Sequence, residues 1–138
     1  MAATASALDR ARRIRVLLFD VDGVLTDGGV YMHADGSESK RFDIKDGAGI
    51  VLARRAGLTV GVISARQSSS TLHRARQLGM DPICQGVTDK AATLDDLVRT
   101  CGWDPLDIAY MGDDVVDLPV LARVGLAACP ADAVAEVR

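Results

Sequence analysis

The stretch Val16-Leu17-Leu18-Phe19-Asp20-Val21-Asp22-Gly23 decides how this chain is read. An unbroken apolar run within Arg15–Phe19 marks a strand covered on both faces, because a strand with one wet face would alternate. Two carboxylates follow at once, with a glycine to turn the backbone. Outward from this point, apolar runs of the same kind recur at Leu58–Ile63, Pro82–Gln85, Ile108–Met111 and Leu126–Ala128. Helical periodicity lies between them, over Asp46–Ala56, Ser68–Leu78, Asp89–Cys101 and Asp117–Val124. The third of these carries Leu94, Leu97, Val98 and Cys101 at i, i+3, i+4, i+7 and stops at Gly102. Residues 29–42 break the alternation: two short extended arms flank Asp35-Gly36, a hairpin signal. Strand and helix in turn predict an α/β fold, a three-layer α/β/α Rossmann-like parallel sheet with a β-hairpin extension and no inserted cap.

The 138 residues suit one domain, 1–138, with the first motif over 13–28 and the hairpin over 29–42. Size scaling gives about 6,900 Å² of folded surface against about 21,000 Å² extended, enough burial for a core without disulfides. Net charge is −3, the 16 Lys and Arg are scattered, and aromatics are 4%. No nucleic acid is therefore expected as a partner, since neither a phosphate-tracking patch nor a base-stacking platform exists. No run reaches the roughly 20 apolar residues of a membrane span, and Met1–Arg15 has no apolar signal core. Cys84, Cys101 and Cys129 are far apart and lack ligand spacing. They read as reduced packing residues, in keeping with a cytoplasmic setting. His33 and His73 have no metal spacing and read as surface positions.

In a parallel sheet, ligands bind beyond the carboxyl ends of the strands. Asp20 and Asp22 follow the first strand, Ser64, Ala65 and Arg66 the second, and Gly112-Asp113-Asp114 the Ile108–Met111 strand, with Asp117 three residues on. Lys90 opens a helix. Carboxylates gathered at one edge repel each other unless a cation neutralises them, and a few hard oxygens suit Mg²⁺. A carboxylate beside Mg²⁺ can attack phosphorus; a second, two residues away, can protonate the leaving alkoxide and then activate water. Lys90 and the Ser64 hydroxyl can hold phosphoryl oxygens as charge spreads over them. Each residue also has a plainer role open to it. Asp114 can cap the next helix, Ser64 can be a turn residue, and Lys90 and Arg74 can be solvated helix residues.

The motifs Phe19-Asp20-Val21-Asp22-Gly23-Val24-Leu25-Thr26-Asp27, Ser64, Lys90 and Gly112-Asp113-Asp114-x-x-Asp117 resemble the haloacid dehalogenase superfamily of phosphohydrolases. Leu25-Thr26-Asp27-Gly28, Lys45-Asp46-Gly47-x-Gly49-Ile50, Gln85-Gly86-Val87-x-Asp89-Lys90 and Ala109 to Asp114 are similar to its capless branch acting on phosphorylated keto-sugar acids. The resemblance spans about Ile14 to Asp132. It implies a Mg²⁺-dependent phosphatase for 3-deoxy-D-manno-octulosonate 8-phosphate, a step toward lipopolysaccharide, with a nine-carbon keto-acid 9-phosphate as the alternative substrate. It also implies Asp20 as nucleophile and metal ligand, Asp22 as acid/base with its carbonyl on the metal, and Asp113 as the other ligand. Asp114 and Asp117 would hold metal waters or orient Lys90. Lys45, Asp46, Arg66 and Arg74 fall where the family contacts substrate. Arg66 and Arg74, eight apart, are expected on one helix, able to meet a carboxylate together.

A capless site lies open to water, and the resemblance implies a homotetramer whose hairpins meet centrally, with Val30, Tyr31 and Met32 as contact groups. The family normally continues with a Gly-rich basic segment, and this sequence departs from it by stopping at Arg138, before any such segment. Ala65 departs from the family's glycine, and would be strained if the backbone there had positive φ. Two other classes compete. A receiver domain would put its phosphoacceptor after a middle strand, whereas here Asp-x-Asp comes first. A catalytically silent phosphatase-like module would have no need of all four motifs.

Overall fold

A computed structural model describes residues 5–138. In chain order the elements are α1 (Ala7–Arg13), β1 (Val16–Phe19), β2 (Tyr31–Met32), β3 (Glu38–Ser39), α2 (Ile44–Arg55), β4 (Thr59–Ile63), α3 (Ser69–Gln77), β5 (Ile83–Cys84), α4 (Lys90–Cys101), β6 (Ile108–Met111), α5 (Leu118–Leu121) and β7 (Leu126–Ala128). Five strands form one sheet in the order β5-β4-β1-β6-β7, and every pairing is parallel. β2 and β3 make a separate antiparallel hairpin, with Tyr31 opposite Ser39 and Met32 opposite Glu38. The expected α/β sheet with a hairpin and no cap is thus the observed architecture.

β1 is central because its alternate residues feed opposite faces. Val16 and Leu18 join Leu94, Tyr110 and Val120 under α4 and α5. Leu17 and Phe19 border the second cluster, with Ile50 from α2, Ala75 from α3 and Leu78 at the C-cap of α3. Such double coverage is what an unbroken apolar run requires. Among the described residues, no helix is long and apolar enough to cross a membrane.

Several details differ from the sequence expectations. α1 was not anticipated: it buries no residue and is started by a Ser6–Asp9 capping box. Arg13 ties it down, 2.8 Å from Asp104 and 2.6 Å from Asp107. Met1–Thr4 of the expected N-terminal stretch lie outside the described residues. α2 starts at Ile44 because Asp43 caps it, accepting from Lys45 N at 2.7 Å. The expected helix over Asp117–Val124 is instead a 3₁₀ turn, Val115–Asp117, followed by the short α5. Cys101 completes the apolar spacing of α4 yet is exposed, while Trp103 folds back onto the core behind Gly102. The three cysteines are unbridged; Cys84 and Cys129 are half-buried.

Candidate active site

Parallel pairing brings the carboxyl ends of β4, β1 and β6 side by side; Ser64 and Asp20 follow the first two directly, and Asp113 follows β6 after Gly112. Asp20 continues the sheet, donating from its backbone N–H to Met111 O at 3.0 Å. Ser64 does likewise, donating to Cys84 O at 2.8 Å. Both are buried. Beyond Asp20 the chain turns at Gly23, φ +86°, and the Thr26 hydroxyl holds the turn by accepting from Gly23 N and Gly28 N at 3.2 and 3.1 Å. A Cβ on Gly23 would collide with the Asp113 carboxylate, so this glycine gives the two acid loops room to approach. The resulting cleft is lined by Asp20, Asp22, Ser64, Ala65, Arg66, Lys90, Asp113, Asp114 and Val116.

Lys90, the first residue of α4, is buried and reaches beneath the acids. Its Nζ lies 2.9 Å from Asp20 Oδ1 and 2.7 Å from Asp117 Oδ1, and donates to the Tyr110 hydroxyl at 3.2 Å. The Tyr110 hydroxyl in turn donates a hydrogen bond to Asp117 Oδ1 at 2.6 Å. Burial, then the negative charge of Asp117, drives the Tyr110 pKa far up, so the group stays a phenol. Asp117 Oδ2 accepts from the backbone N–H groups of Asp113 and Asp114 at 3.0 and 3.2 Å. With four contacts on its two oxygens, Asp117 is saturated. It acts as the buried frame that orients Lys90 and the loop carrying Asp113.

The carboxylates of Asp20, Asp113 and Asp117 each present an oxygen within 4.8 Å of the other two. Since Asp117 is engaged on both oxygens, Asp20 and Asp113 remain as donors for a cation. Asp113 Oδ1 is buried with no hydrogen-bond partner. Burial, then the neighbouring Asp20 and Asp117, push the Asp113 carboxyl up to about 6. Burial also raises Asp20, with Lys90 opposing it. An orphaned oxygen and two mutually repelling hard donors fit a small divalent cation.

Two residues that line this cleft, Asp114 and Arg66, are also engaged elsewhere, while Lys45, Asp46 and Arg74 lie outside it. Asp114 is exposed and caps the 3₁₀ turn, accepting from Val115 N at 2.7 Å. Arg66 precedes α3 instead of sharing it with Arg74, because the helix begins only after its cap at Ser68; the expected common helix is therefore corrected. Arg66 reaches back to Glu38 Oε2 at 2.6 Å. Arg74 lies over Gly47 in a crevice between α2 and α3 that Asp46 also lines. Lys45 and Asp46 border a groove beside Phe19 and Met111. Ala65 is unstrained, since no described residue other than glycine has positive φ. His33 and His73 are exposed, as expected.

Three contributors went unnoticed in the sequence: Tyr110, which reads as an ordinary core strand residue, and Glu38 and Lys40 on the hairpin. Lys40 lies 2.9 Å from Asp22 Oδ1. The signal for the pair was their spacing, because residues two apart on an extended arm share a face.

No protein-family model matches the chain. It is 40% identical over 126 residues to the 3-deoxy-D-manno-octulosonate 8-phosphate phosphatase of Yersinia pestis, covering 91% of this chain and 67% of that protein. The enzyme of the same name from Escherichia coli K12 is 38% identical over 130 residues, 94% of this chain and 69% of the other. A crystal structure of the Moraxella catarrhalis enzyme, in complex with a magnesium ion, a phosphate ion and a KDO molecule, superposes with a TM-score of 0.93 at 31% identity. That match covers 96% of this chain and 76% of the other. Sheet and cleft together are those of a haloacid dehalogenase-type phosphohydrolase without a cap domain. Within that superfamily, the chain belongs to the 3-deoxy-D-manno-octulosonate 8-phosphate phosphatase family.

Proposed function

We propose that this chain hydrolyses 3-deoxy-D-manno-octulosonate 8-phosphate to the free sugar acid and inorganic phosphate, through an aspartyl phosphate on Asp20. The observation that carries the proposal is Asp20 at the end of the central strand, 2.9 Å from a buried Lys90 and grouped with a second acid, Asp113. Family membership supports the substrate.

Asp20 and Asp113 hold Mg²⁺, with the backbone carbonyl of Asp22 as a third protein donor. When bound, Mg²⁺ offsets the charge of the acids and of the phosphoryl oxygens. Asp20 attacks phosphorus, its O–P bond forming as the bond to the sugar oxygen breaks. Asp22 gives its proton to the departing alkoxide, then takes one from the water that attacks the aspartyl phosphate and frees Asp20. Lys90 keeps Asp20 aimed and, with the Ser64 hydroxyl, stabilises the phosphoryl oxygens. Asp117 and Asp114 fix the loop that carries Asp113. Arg66 meets the sugar acid's carboxylate from the same chain.

Residues 1–138 act as one catalytic domain. The cleft is open, and Tyr31 and Met32 on the hairpin are 69% and 65% exposed. A homotetramer built through the hairpins covers these groups, and in it Lys45, Asp46 and Arg74 act at a neighbour's site. The three unbridged cysteines suit a reducing cytoplasm, where this reaction supplies lipopolysaccharide synthesis. The test is phosphate release from a panel of sugar phosphates, with Mg²⁺ and with EDTA. Mg²⁺-dependent preference for the eight-carbon acid is expected; preference for a nine-carbon acid would move the substrate, and no release from any would overturn the proposal.

A further inference from the structure

Lys40 stands outside every motif given a role above. It follows β3 directly, and its side chain is fully withdrawn from solvent within the single chain. Its ammonium is 2.9 Å from Asp22 Oδ1, donates to Asp22 Oδ2 at 3.1 Å and to Thr71 Oγ1 at 3.4 Å, and lies 3.8 Å from Glu38 Oε1. Arg66 closes the group, 2.6 Å from Glu38 Oε2 and 3.8 Å from Asp22 Oδ2. While Asp22 is ionised, two carboxylates and two cations form a neutral set, the condition under which charge is tolerated away from water. Thr71 is a buried residue of α3. The lysine therefore joins the hairpin, α3 and the loop after β1 at one point.

We infer that Lys40 is a positioning residue for Asp22. The inference rests on Asp22 being the acid and base of the reaction. A carboxyl group two residues past a strand end can rotate about χ1 and χ2, and general acid catalysis needs it in hydrogen-bond reach of the leaving oxygen. Lys40 touches both of its oxygens from the hairpin side and removes that freedom. Without Lys40 the nearest cation is Arg66, which would draw the carboxyl aside and itself be drawn from the substrate. Lys40 neither gains nor loses a proton. During the first step the proton passes from Asp22 to the alkoxide as the P–O bond breaks, while the ammonium stays charged and fixes where Asp22 stands.

Two substrates of matched size separate this role from a merely structural one. The alkoxide of benzyl phosphate needs a proton to leave, and the phenolate of p-nitrophenyl phosphate leaves unaided. The readout is kcat/KM, which reports events up to leaving-group departure. Lys40→Met is expected to lower kcat/KM for benzyl phosphate roughly 10- to 100-fold, a part of the ~10²–10⁴ that general acid catalysis provides. The value for p-nitrophenyl phosphate is expected to change less than about threefold. A double variant, Lys40→Met with Glu38→Gln, keeps the cluster neutral and gives the same selectivity if the single variant melts early. Equal losses on both substrates, or none, would overturn the inference. Asp22→Asn is measured alongside. If it is leaving-group selective while Lys40→Met is not, Lys40 has no positioning role and Asp22 keeps its assignment. If Asp22→Asn is itself unselective, the acid assignment falls and the inference falls with it.

Discussion

Replacing Asp117 by Asn tests the buried frame beneath the acids. The carboxylate is 0% exposed and engages Lys90 and Tyr110 through Oδ1 and two backbone N–H groups through Oδ2. An Asn side chain has one acceptor oxygen and one NH₂, so in either orientation two donors face a donor. Two buried donors left unpaired cost about 1–3 kcal/mol each. Lys90 also loses one of its two buried counter-charges, and breaking such a pair costs about 3–5 kcal/mol. Because these figures overlap in the same contacts, the expected loss is about 3–5 kcal/mol, or about 10–20 °C in Tm for a domain of this size. Urea unfolding in EDTA gives the free energy and a calorimetric melt gives Tm. Asp114→Asn serves as control: Asp114 is exposed, and Asn caps about as well as Asp, so less than about 0.5 kcal/mol should be lost. A loss below about 1 kcal/mol for Asp117→Asn would refute the saturated-frame description.

Further outcomes follow from the geometry. The Asp113 carboxyl, pushed up to about 6 in the fold, holds a proton that an unfolded chain has released, so its contribution to metal-free stability falls as pH rises from about 4 to about 6. Mg²⁺ must displace that proton, and should raise Tm more at pH 7.5 than at pH 5; equal shifts would argue against Asp113 as a ligand. Gly23→Ala should lower kcat/KM by more than about 100-fold, since its Cβ meets the Asp113 carboxylate and misplaced groups lose rate steeply. Gly57→Ala, at φ +96° with nothing within 4 Å, should cost only about 1–2 kcal/mol of backbone strain and leave turnover intact. Under the proposed assembly through the hairpins, Tyr31→Asp combined with Met32→Glu should give a monomer in sedimentation where the parent chain associates; an unchanged assembly would remove the hairpin from the interface.

Much of the sheet and of the acid cluster was legible because each sheet strand carries a short apolar run, with Asp20 directly after one and Asp113 one glycine after another. Asp20, Asp113 and Lys90 needed only their order along the chain. Lys40 and Glu38 were hidden, since Glu38-Ser39-Lys40-Arg41 looks like a solvated charged arm until the hairpin folds inward onto α3. Tyr110 was hidden differently: its ring is core, and only its hydroxyl belongs to the site. α1 has no apolar face to signal it, only the Ser6–Asp9 box. Arg66 and Arg74 were put on one helix by counting residues alone. Ser68, whose side chain caps α3, marks where the helix begins and separates them.

The covalent step on Asp20 is the centre of the account. Asp22→Asn should slow hydrolysis of the phosphorylated enzyme, so that with p-nitrophenyl phosphate, whose leaving group needs no proton, an acid quench during turnover with Mg²⁺ catches the acyl phosphate. Borohydride then reduces that carbonyl to the alcohol, converting aspartate to homoserine, and peptide mass spectrometry locates it. Homoserine at position 20, dependent on substrate and absent from Asp20→Asn, is the predicted result. Homoserine at another aspartate, or none while turnover proceeds, would contradict it.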